Sequence, residues 1–372
     1  MYIESLELEN YRNYKNLNIT FDKDKNIIYG DNAQGKTNIL ESLYYCGTTK
    51  SHRGSRDRDV INFDENEAHI KVVVRKNDVP FRIDMHIRKS KPKVIAINGI
   101  PIKRAIELFG IVSFIFFSPE DLMIIKNGPS DRRKFIDMEL CQIDKIYLSD
   151  LTNYNKIITQ RNKLLKDLNF KFDKSLYNTL DIWDMQLISY GKKIIKRREE
   201  FIDQINDIII KIHSNLTGDR EKISVVYEPN VNEDNYEKMI ISLREKDIKY
   251  RTTNVGPHRD DMAFYSNGID LRKYGSQGQQ RTAALSLKLS EIELVKSIIH
   301  DNPILLLDDV LSELDVNRQK YLIESIDVTQ TILTCTGLDE FIENQIEVDK
   351  IYKIINGTAN LYEPERSSNE WH

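Results

Sequence analysis

Apolar residues change their spacing along this chain, and each change predicts a different kind of structure. Between Tyr2 and Glu9, Ile3, Leu6 and Leu8 stand among polar residues, and Leu17–Phe21 alternates cleanly. With the short apolar run Asn26–Tyr29, these read as three strands. His69–Arg75, Phe81–Ile87 and Val94–Ile97 continue the alternation. Asn98-Gly99 then joins the last of them to Ile100-Pro101-Ile102, and Asn-Gly between apolar runs is a hairpin signal. Roughly the first 120 residues therefore predict an antiparallel meander. Ile111–Phe117 is almost continuously apolar, as a strand covered on both faces would be. Ser118-Pro119-Glu120-Asp121 carries the residue types of a helix start.

From Ser130 to His213 the period becomes helical. Tyr147, Leu151, Tyr154, Ile158, Arg161 and Leu165 step by three and four, as do Leu180, Trp183, Leu187, Tyr190 and Ile194; Phe201, Ile205, Ile208 and Ile212 extend the second stripe. Two amphipathic helices separated by a polar break near Asn169–Lys174 fit this spacing. A coiled-coil arm is one reading. A packed helical lobe fits better, because each stripe is short and one carries an arginine at its seam. Strand patterns return at Ile223–Tyr227, Met262–Ser266, Ile269–Leu271, Pro303–Leu307 and Ile332–Cys335, and a long helix is expected over Thr282–Ile299. The residues from Pro364 onward read as disordered. The expected division is an N-terminal part over 1–128, a helical lobe over 129–220 and a C-terminal part over 221–372.

Candidate chemistry sits where these elements end. After Asn26–Tyr29 comes Gly30-Asp31-Asn32-Ala33-Gln34-Gly35-Lys36-Thr37, and helical spacing follows. Strand, glycine loop and helix form the context of a phosphate-binding loop, whose backbone N–H groups and helix N-terminus face phosphate oxygens. Lys36 would reach the β- and γ-phosphates, and Thr37 would offer a hydroxyl to Mg²⁺. The reading is a nucleoside triphosphate site, with ATP and Mg²⁺ as cofactors. The apolar strand Pro303–Leu307 ends in Asp308-Asp309; the first carboxylate would order the metal and the second polarise water. Ser276-Gln277-Gly278-Gln279-Gln280 opens the long helix, where Ser276, Gly278 and Gln279 could form an anion site. It resembles the signature motif of ABC-type ATPases, a class in which this site completes the partner subunit's nucleotide site. Ser312-Glu313-Leu314-Asp315 stands where that class has its D-loop.

Composition narrows the setting. The chain has 372 residues, 40% hydrophobic and 30% charged, with 54 basic against 58 acidic residues and a net charge of −4. A protein that coats nucleic acid non-specifically is usually basic, so any contact with DNA must come from a local patch. No run of eighteen apolar residues is present, so no membrane span is expected. The N-terminal residues lack a signal-peptide layout. Cys46, Cys141 and Cys335 suit neither a disulfide framework nor a zinc site and read as buried thiols in a reducing cytosol.

Across nearly its whole length the chain resembles the RecF family of bacterial recombinational-repair ATPases, related to the SMC class. The matching segments are YRNY at 11–14, GDNAQGKTN at 30–38, SHRGSRD at 51–57, SPEDL at 118–122 and GPSDRRKFID at 128–137. They continue with NVGPHRDDM at 254–262, GSQGQQR at 275–281 and LLLDDVLSELD at 305–315. The resemblance implies an α/β fold. Its parts would be an ABC/SMC-type P-loop ATPase core, an antiparallel β-subdomain, and a helical lobe inserted between the P-loop and the signature. It further implies an ATP-dependent homodimer that holds double-stranded DNA at single-strand/double-strand junctions and works with RecR and RecO to load recombinase. Arg53, Arg56, Arg58, Arg132 and Arg133 are the candidate DNA-phosphate contacts; partners in surface salt bridges are the alternative for each. Asp309 stands where many ABC members carry glutamate, which implies slow hydrolysis. Thr336-Gly337 replaces the usual switch histidine, and no glutamine closes Ile111–Phe117, where Glu120 is a substitute candidate. A transporter-type subunit and a rod-like SMC protein are the competing classes. The helical insert argues against the first and is too short for the second.

Overall fold

Alternation in the N-terminal third does build an antiparallel sheet. The computed structural model describes residues 1–170, 174–326, 329–338 and 348–362. The tail from Pro364 and residues 171–173 of the expected polar break lie outside them. Strands β1 (Tyr2–Tyr11), β2 (Tyr14–Thr20), β4 (Glu67–Lys76), β5 (Val79–Arg88), β6 (Lys91–Ile97) and β7 (Ile100–Pro101) lie in the order β2-β1-β4-β5-β6-β7. All neighbours run antiparallel. In β4, Ala68, Ile70, Val72 and Val74 are buried and the residues between them are not. Asn98 and Gly99 turn the β6–β7 hairpin with φ of 52° and 82°, the left-handed pair that a tight turn of this kind needs.

The strand that carries the glycine loop leaves this meander. β3 (Lys25–Tyr29) pairs in parallel with β13 (Thr331–Cys335) and with β14 (Lys350–Ile355). β13 pairs in parallel with β12 (Ile304–Asp308), and β12 with β8 (Phe114–Phe117). β15 (Thr358–Leu361) adds an antiparallel edge, giving the order β15-β14-β3-β13-β12-β8. Strand β8 is shorter than the expected Ile111–Phe117, yet all four of its residues are buried, as a continuous apolar run predicts. β14 and β15, joined through Asn356-Gly357, add to the elements expected from the sequence.

Helix α1 (Lys36–Thr48) packs between the two sheets, against β8, β12 and β13 and against β4 and β5. Every residue from Ile39 to Thr48 is buried, Glu41 included. A buried carboxylate must be paired. Arg12 donates to both oxygens of Glu41 at 2.9 and 2.6 Å, and Ser51 Oγ donates to it at 2.5 Å. Burial works to raise the pKa of Glu41, but these hydrogen bonds outweigh it and hold the carboxyl below its usual range.

The chain forms two compact units, Met1–Pro119 with Val295–His372, and Glu120–Leu294. Both sheets above belong to the first, with α10 (Val316–Ser325) capped by Asp315, which accepts from the Arg318 N–H at 3.1 Å. The second holds α2 (Leu122–Lys126), α3 (Pro129–Ile143), α4 (Lys145–Phe170), α5 (Lys174–Thr217), α6 (Glu233–Ser242) and α7 (Arg244–Tyr250). It also holds β9 (Ile223–Glu228), β10 (Asp261–Ser266) and β11 (Ile269–Asp270), which form a small antiparallel sheet. α8 (Leu271–Tyr274) and the start of α9 (Gln277–Ile299) follow. Pairing of Arg197 with Asp144, Lys193 with Asp150 and Arg161 with Asp184 makes α4 and α5 antiparallel. Arg161, the seam arginine, is fully buried and donates to Asp184 at 2.6 Å, Asp247 at 2.7 Å and Thr253 Oγ1 at 2.9 Å. The seam is therefore ionic at its centre, which separates it from an apolar coiled-coil stripe. No described helix is long and apolar enough to cross a membrane. All three cysteines are buried.

The loop 254–262 is fixed by the same kind of buried pairing. Arg198 donates to Asp137 at 2.8 Å, Asp260 at 3.0 Å and the Pro257 carbonyl at 2.6 Å. His258 Nε2 lies 3.0 Å from the Thr253 carbonyl, which can only accept, and its Nδ1 lies 2.8 Å from Tyr154 Oη. The neutral ring thus donates from Nε2 and accepts at Nδ1. Burial lowers the His258 pKa to about 4, against an ordinary value of about 6.5. The folded state binds the proton less well, so this stability is complete above pH ~6.5 and is lost as the pH falls toward 4, by roughly 3 kcal/mol at most. Urea unfolding across that window should show a larger loss for the wild type than for His258→Gln; parallel curves would remove the assignment.

Candidate nucleotide site

Parallel order places the candidate site at the C-terminal ends of β3, β13 and β12, the edge at which open α/β sheets bind ligands. β3 delivers the loop. Its backbone turns through left-handed conformations at Ala33 (φ 64°) and Gly35 (φ 108°), and Gly30 has φ 151°. A side chain at Gly30 would meet the Ile354 carbonyl at 2.6 Å, and one at Gly35 would meet Asn13 at 2.5 Å, so both glycines are sterically required. Asn13, from the turn between β1 and β2, donates from Nδ2 to the Gln34 carbonyl at 2.9 Å and accepts from Asn38 Nδ2 at 2.8 Å. Gln34 Oε1 accepts from the Asn356 N–H at 2.6 Å. The loop is clamped from both sides, by Asn13 and by the Asn356 backbone, neither of which belongs to the loop motif. Asn13 stands in the YRNY segment; the Asn-Gly turn at 356–357 was the available signal for the other clamp.

Lys36 is 7% exposed, and its ammonium donates to the Gly30 and Asp31 carbonyls at 2.5 and 2.9 Å. This holds one positive charge over the loop at the start of α1. Thr37 Oγ1 donates to Asp308 Oδ1 at 2.8 Å, and Thr334 Oγ1 donates to the same oxygen at 2.8 Å. Burial raises the Asp308 pKa; the Thr334 and Thr37 hydrogen bonds and the charge of Arg53 oppose it without cancelling it, and Asp309 adds to the rise. A carboxylate in that position gains from a nearby cation. A hydroxyl and a carboxylate 2.8 Å apart, both hard oxygen donors, fit Mg²⁺. Asp309 has a left-handed backbone (φ 52°), and its N–H donates to Thr334 Oγ1 at 3.1 Å and to the Thr334 carbonyl at 3.2 Å. Thr334 thus positions both adjacent acids.

The second unit holds the segment Ser276–Gln280. The Ser276 N–H donates to Gln279 Oε1 at 3.0 Å, and the Gln279 N–H donates to Ser276 Oγ at 3.2 Å. This is a reciprocal capping box at the start of α9. The cap does not use the serine's own O–H proton. A side chain at Gly278 would meet nothing nearer than Ser276 Oγ at 4.0 Å, so no internal packing requires glycine there. Ser276, Gln277 and Gly278 are exposed. An exposed hydroxyl, a bare backbone and a helix N-terminus together make a surface that can receive an anion.

The candidate DNA arginines separate. Arg53, Arg56 and Arg58 are exposed on the segment after α1. Arg58 is paired with Asp59 at 3.5 Å, while the charge of Arg53 reaches Asp308. Arg133 is half-buried and donates to the Asp260 carbonyl at 2.6 Å. Arg132 departs from expectation. It is buried, its guanidinium grips both oxygens of Asp261 at 2.6 and 2.9 Å, and it donates to the Asn127 carbonyl at 2.6 Å. A side chain so enclosed cannot meet a DNA phosphate. Its spacing with Phe135, Ile136, Glu139 and Leu140, all buried on α3, was the signal that it lies on an inward face.

A clamped phosphate loop, a carboxylate-ended strand one place beyond its neighbour in the parallel sheet and an antiparallel β-subdomain define a P-loop ATPase core of the ABC/SMC type. The family model described as "RecF/RecN/SMC N terminal domain" matches residues 2–360. The chain is 62% identical over 357 residues to DNA replication and repair protein RecF of Lachnospira eligens, covering 96% of this chain and 98% of that one. It is 59% identical to the protein of the same name from Agathobacter rectalis, over 97% and 99%. A solved structure of the recombination mediator protein RecF with ATP, from the RecFOR pathway, superimposes with a TM-score of 0.90 at 36% identity, over 97% and 98% of the two chains. An Smc head domain from Pyrococcus furiosus shares the fold, with a TM-score of 0.56 at 16% identity. This chain belongs to the RecF family.

Proposed function

We propose that the chain is an ATP-dependent DNA-binding protein of recombinational repair, in which nucleotide controls pairing of two copies. The observation that carries this reading is the divided chemistry. Loop, Thr37 and Asp308 are joined by hydrogen bonds, while Ser276 and Gly278 expose an anion-receiving helix start whose cap is already complete. In this reading the loop amides and Lys36 hold the β- and γ-phosphates, and Thr37 and Asp308 hold the metal side. Bound Mg²⁺ would screen phosphate charge. Ser276, Gly278 and Gln279 of a second copy close over the γ-phosphate. Asp309 polarises the attacking water; its arm is shorter than that of glutamate, so turnover is slow and the ATP state persists. The dimer is then favoured by mass action, because ATP binds fully only to the assembled site.

The grip on DNA follows from the same assembly. Double-stranded DNA at single-strand/double-strand junctions is the substrate, and RecR and RecO are the partners with which the dimer loads recombinase in the cytoplasm. The exposed Arg53, Arg56 and Arg58 supply the local positive patch that a chain of net charge −4 requires, and the half-buried Arg133 is a separate candidate contact. Arg53 also has a second candidate partner, a phosphate beside Asp308.

Lys36→Ala should abolish ATP binding in calorimetry while leaving the melting temperature of the nucleotide-free protein near wild type. Ser276→Arg should bind ATP normally and remain monomeric on a sizing column; ATP-driven dimers of that variant would sink the divided site. For DNA, Arg56→Glu should reduce the slope of log affinity against log salt by about one unit on duplex. An unchanged slope would take Arg56 out of the interface.

A further inference from the structure

The solvent side of the antiparallel sheet carries a cluster that the nucleotide site does not use. His69 of β4 and His86 of β5 are direct cross-strand partners, and Glu67 lies two residues before His69 on the same face. The imidazoles stack with centroids 4.1 Å apart and planes 19° apart. Glu67 Oε2 lies 2.9 Å from His86 Nε2. One donor atom from each of the three side chains falls within 4.8 Å of the other two. All three stand on the face opposite the buried Ala68, Ile70 and Val72, so none is committed to the core.

We propose that Glu67, His69 and His86 form a surface site for a divalent transition-metal ion of the Zn²⁺ class, with a fourth position open to solvent or to a ligand from elsewhere. Two imidazoles and one carboxylate are a borderline donor set, which suits Zn²⁺ and its first-row neighbours and not Mg²⁺ or Ca²⁺. Metal–ligand bonds of about 2 Å put tetrahedral ligand atoms a little over 3 Å apart. The Glu67–His86 pair already stands near that spacing, and a side-chain adjustment brings His69 in. The scaffold is stiff, because β1 flanks β4 and β6 flanks β5 in the same sheet. With the ion bound, the Glu67–His86 hydrogen bond gives way to two metal bonds, and each imidazole keeps its proton on the nitrogen facing away. The adverse charges in the ladder are both engaged: Arg88, the cross-strand partner of Glu67, donates to the Pro92 carbonyl at 3.4 Å, and Lys71, two residues after His69, pairs with Glu7 at 2.8 Å. The groove beside the cluster, about 560 Å³, is also lined by Glu7, Glu9, Asp84 and Lys71, with Glu7 held by Lys71 and Asp84 paired to Arg82 at 2.9 Å.

The test is a ZnCl₂ titration of the full chain, stripped with EDTA and dialysed. It is read by a competing chromogenic chelator in excess Mg²⁺, which suppresses the all-oxygen cluster Asp22, Asp24 and Asp349. The expected result is saturation at one Zn²⁺ per chain. Affinity should fall roughly tenfold or more in His69→Ala and in His86→Ala and stay unchanged in Asp349→Asn. Melting temperatures in EDTA should match the wild type, since these side chains serve no core contact. His86→Gln replaces any variant that fails this folding check and is expected to show the same loss. No saturable binding by the wild type, or equal affinity in the histidine variants, would overturn the site.

Discussion

One carboxylate oxygen ties the nucleotide side of this protein together. Asp308 Oδ1 accepts from Thr37 at the head of α1 and from Thr334 on the neighbouring strand, both at 2.8 Å. Three segments far apart in sequence therefore converge on one atom: the phosphate loop's helix, the carboxylate-ended strand and the strand between it and the loop. The arrangement depends on the parallel order of β3, β13 and β12, which brings their C-terminal ends to one edge. It depends equally on α1 being buried between two sheets, which in turn requires the Arg12–Glu41 pair that neutralises the one acid in its interior.

The same economy of charge runs through the second unit. Arg132, Arg161 and Arg198 are all buried, and each is matched to one or more aspartates. Removing one member of such a group leaves an uncompensated charge, which costs more than the pair contributes. These groups fix which helix meets which, and they settle the identity of residues that a reading by charge alone assigns to the surface. The loop 254–262, distinctive in the sequence, is organised as packing around Arg198 and His258.

Much of the architecture was legible because period and punctuation agreed. β4 and β5 alternate strictly, Asn98-Gly99 turns where expected, and β8 is buried as its apolar run implies. The loop, Asp308 and Ser276 were found as motifs because their chemistry needs fixed residue types at fixed spacing. What the sequence concealed was anything that depends on a distant partner. Asn13 and Asn356 look like ordinary turn residues until they are seen to clamp Gln34. Thr334 is one of several β-branched residues in a buried strand until its hydroxyl meets Asp308. Arg132 looked like a phosphate contact because charge in sequence carries no information about burial, although its register with Phe135 and Ile136 did.

In the proposed dimer each chain carries two complementary halves of a nucleotide site. Mixing Lys36→Ala protein with Ser276→Arg protein tests it most directly, because a heterodimer of the two contains one intact composite site and one doubly damaged one. Sedimentation velocity in ATP and Mg²⁺ should show each variant alone as a monomer and the mixture forming dimers that carry a single nucleotide. A mixture that stays monomeric, or dimers formed by either variant alone, would contradict the divided site.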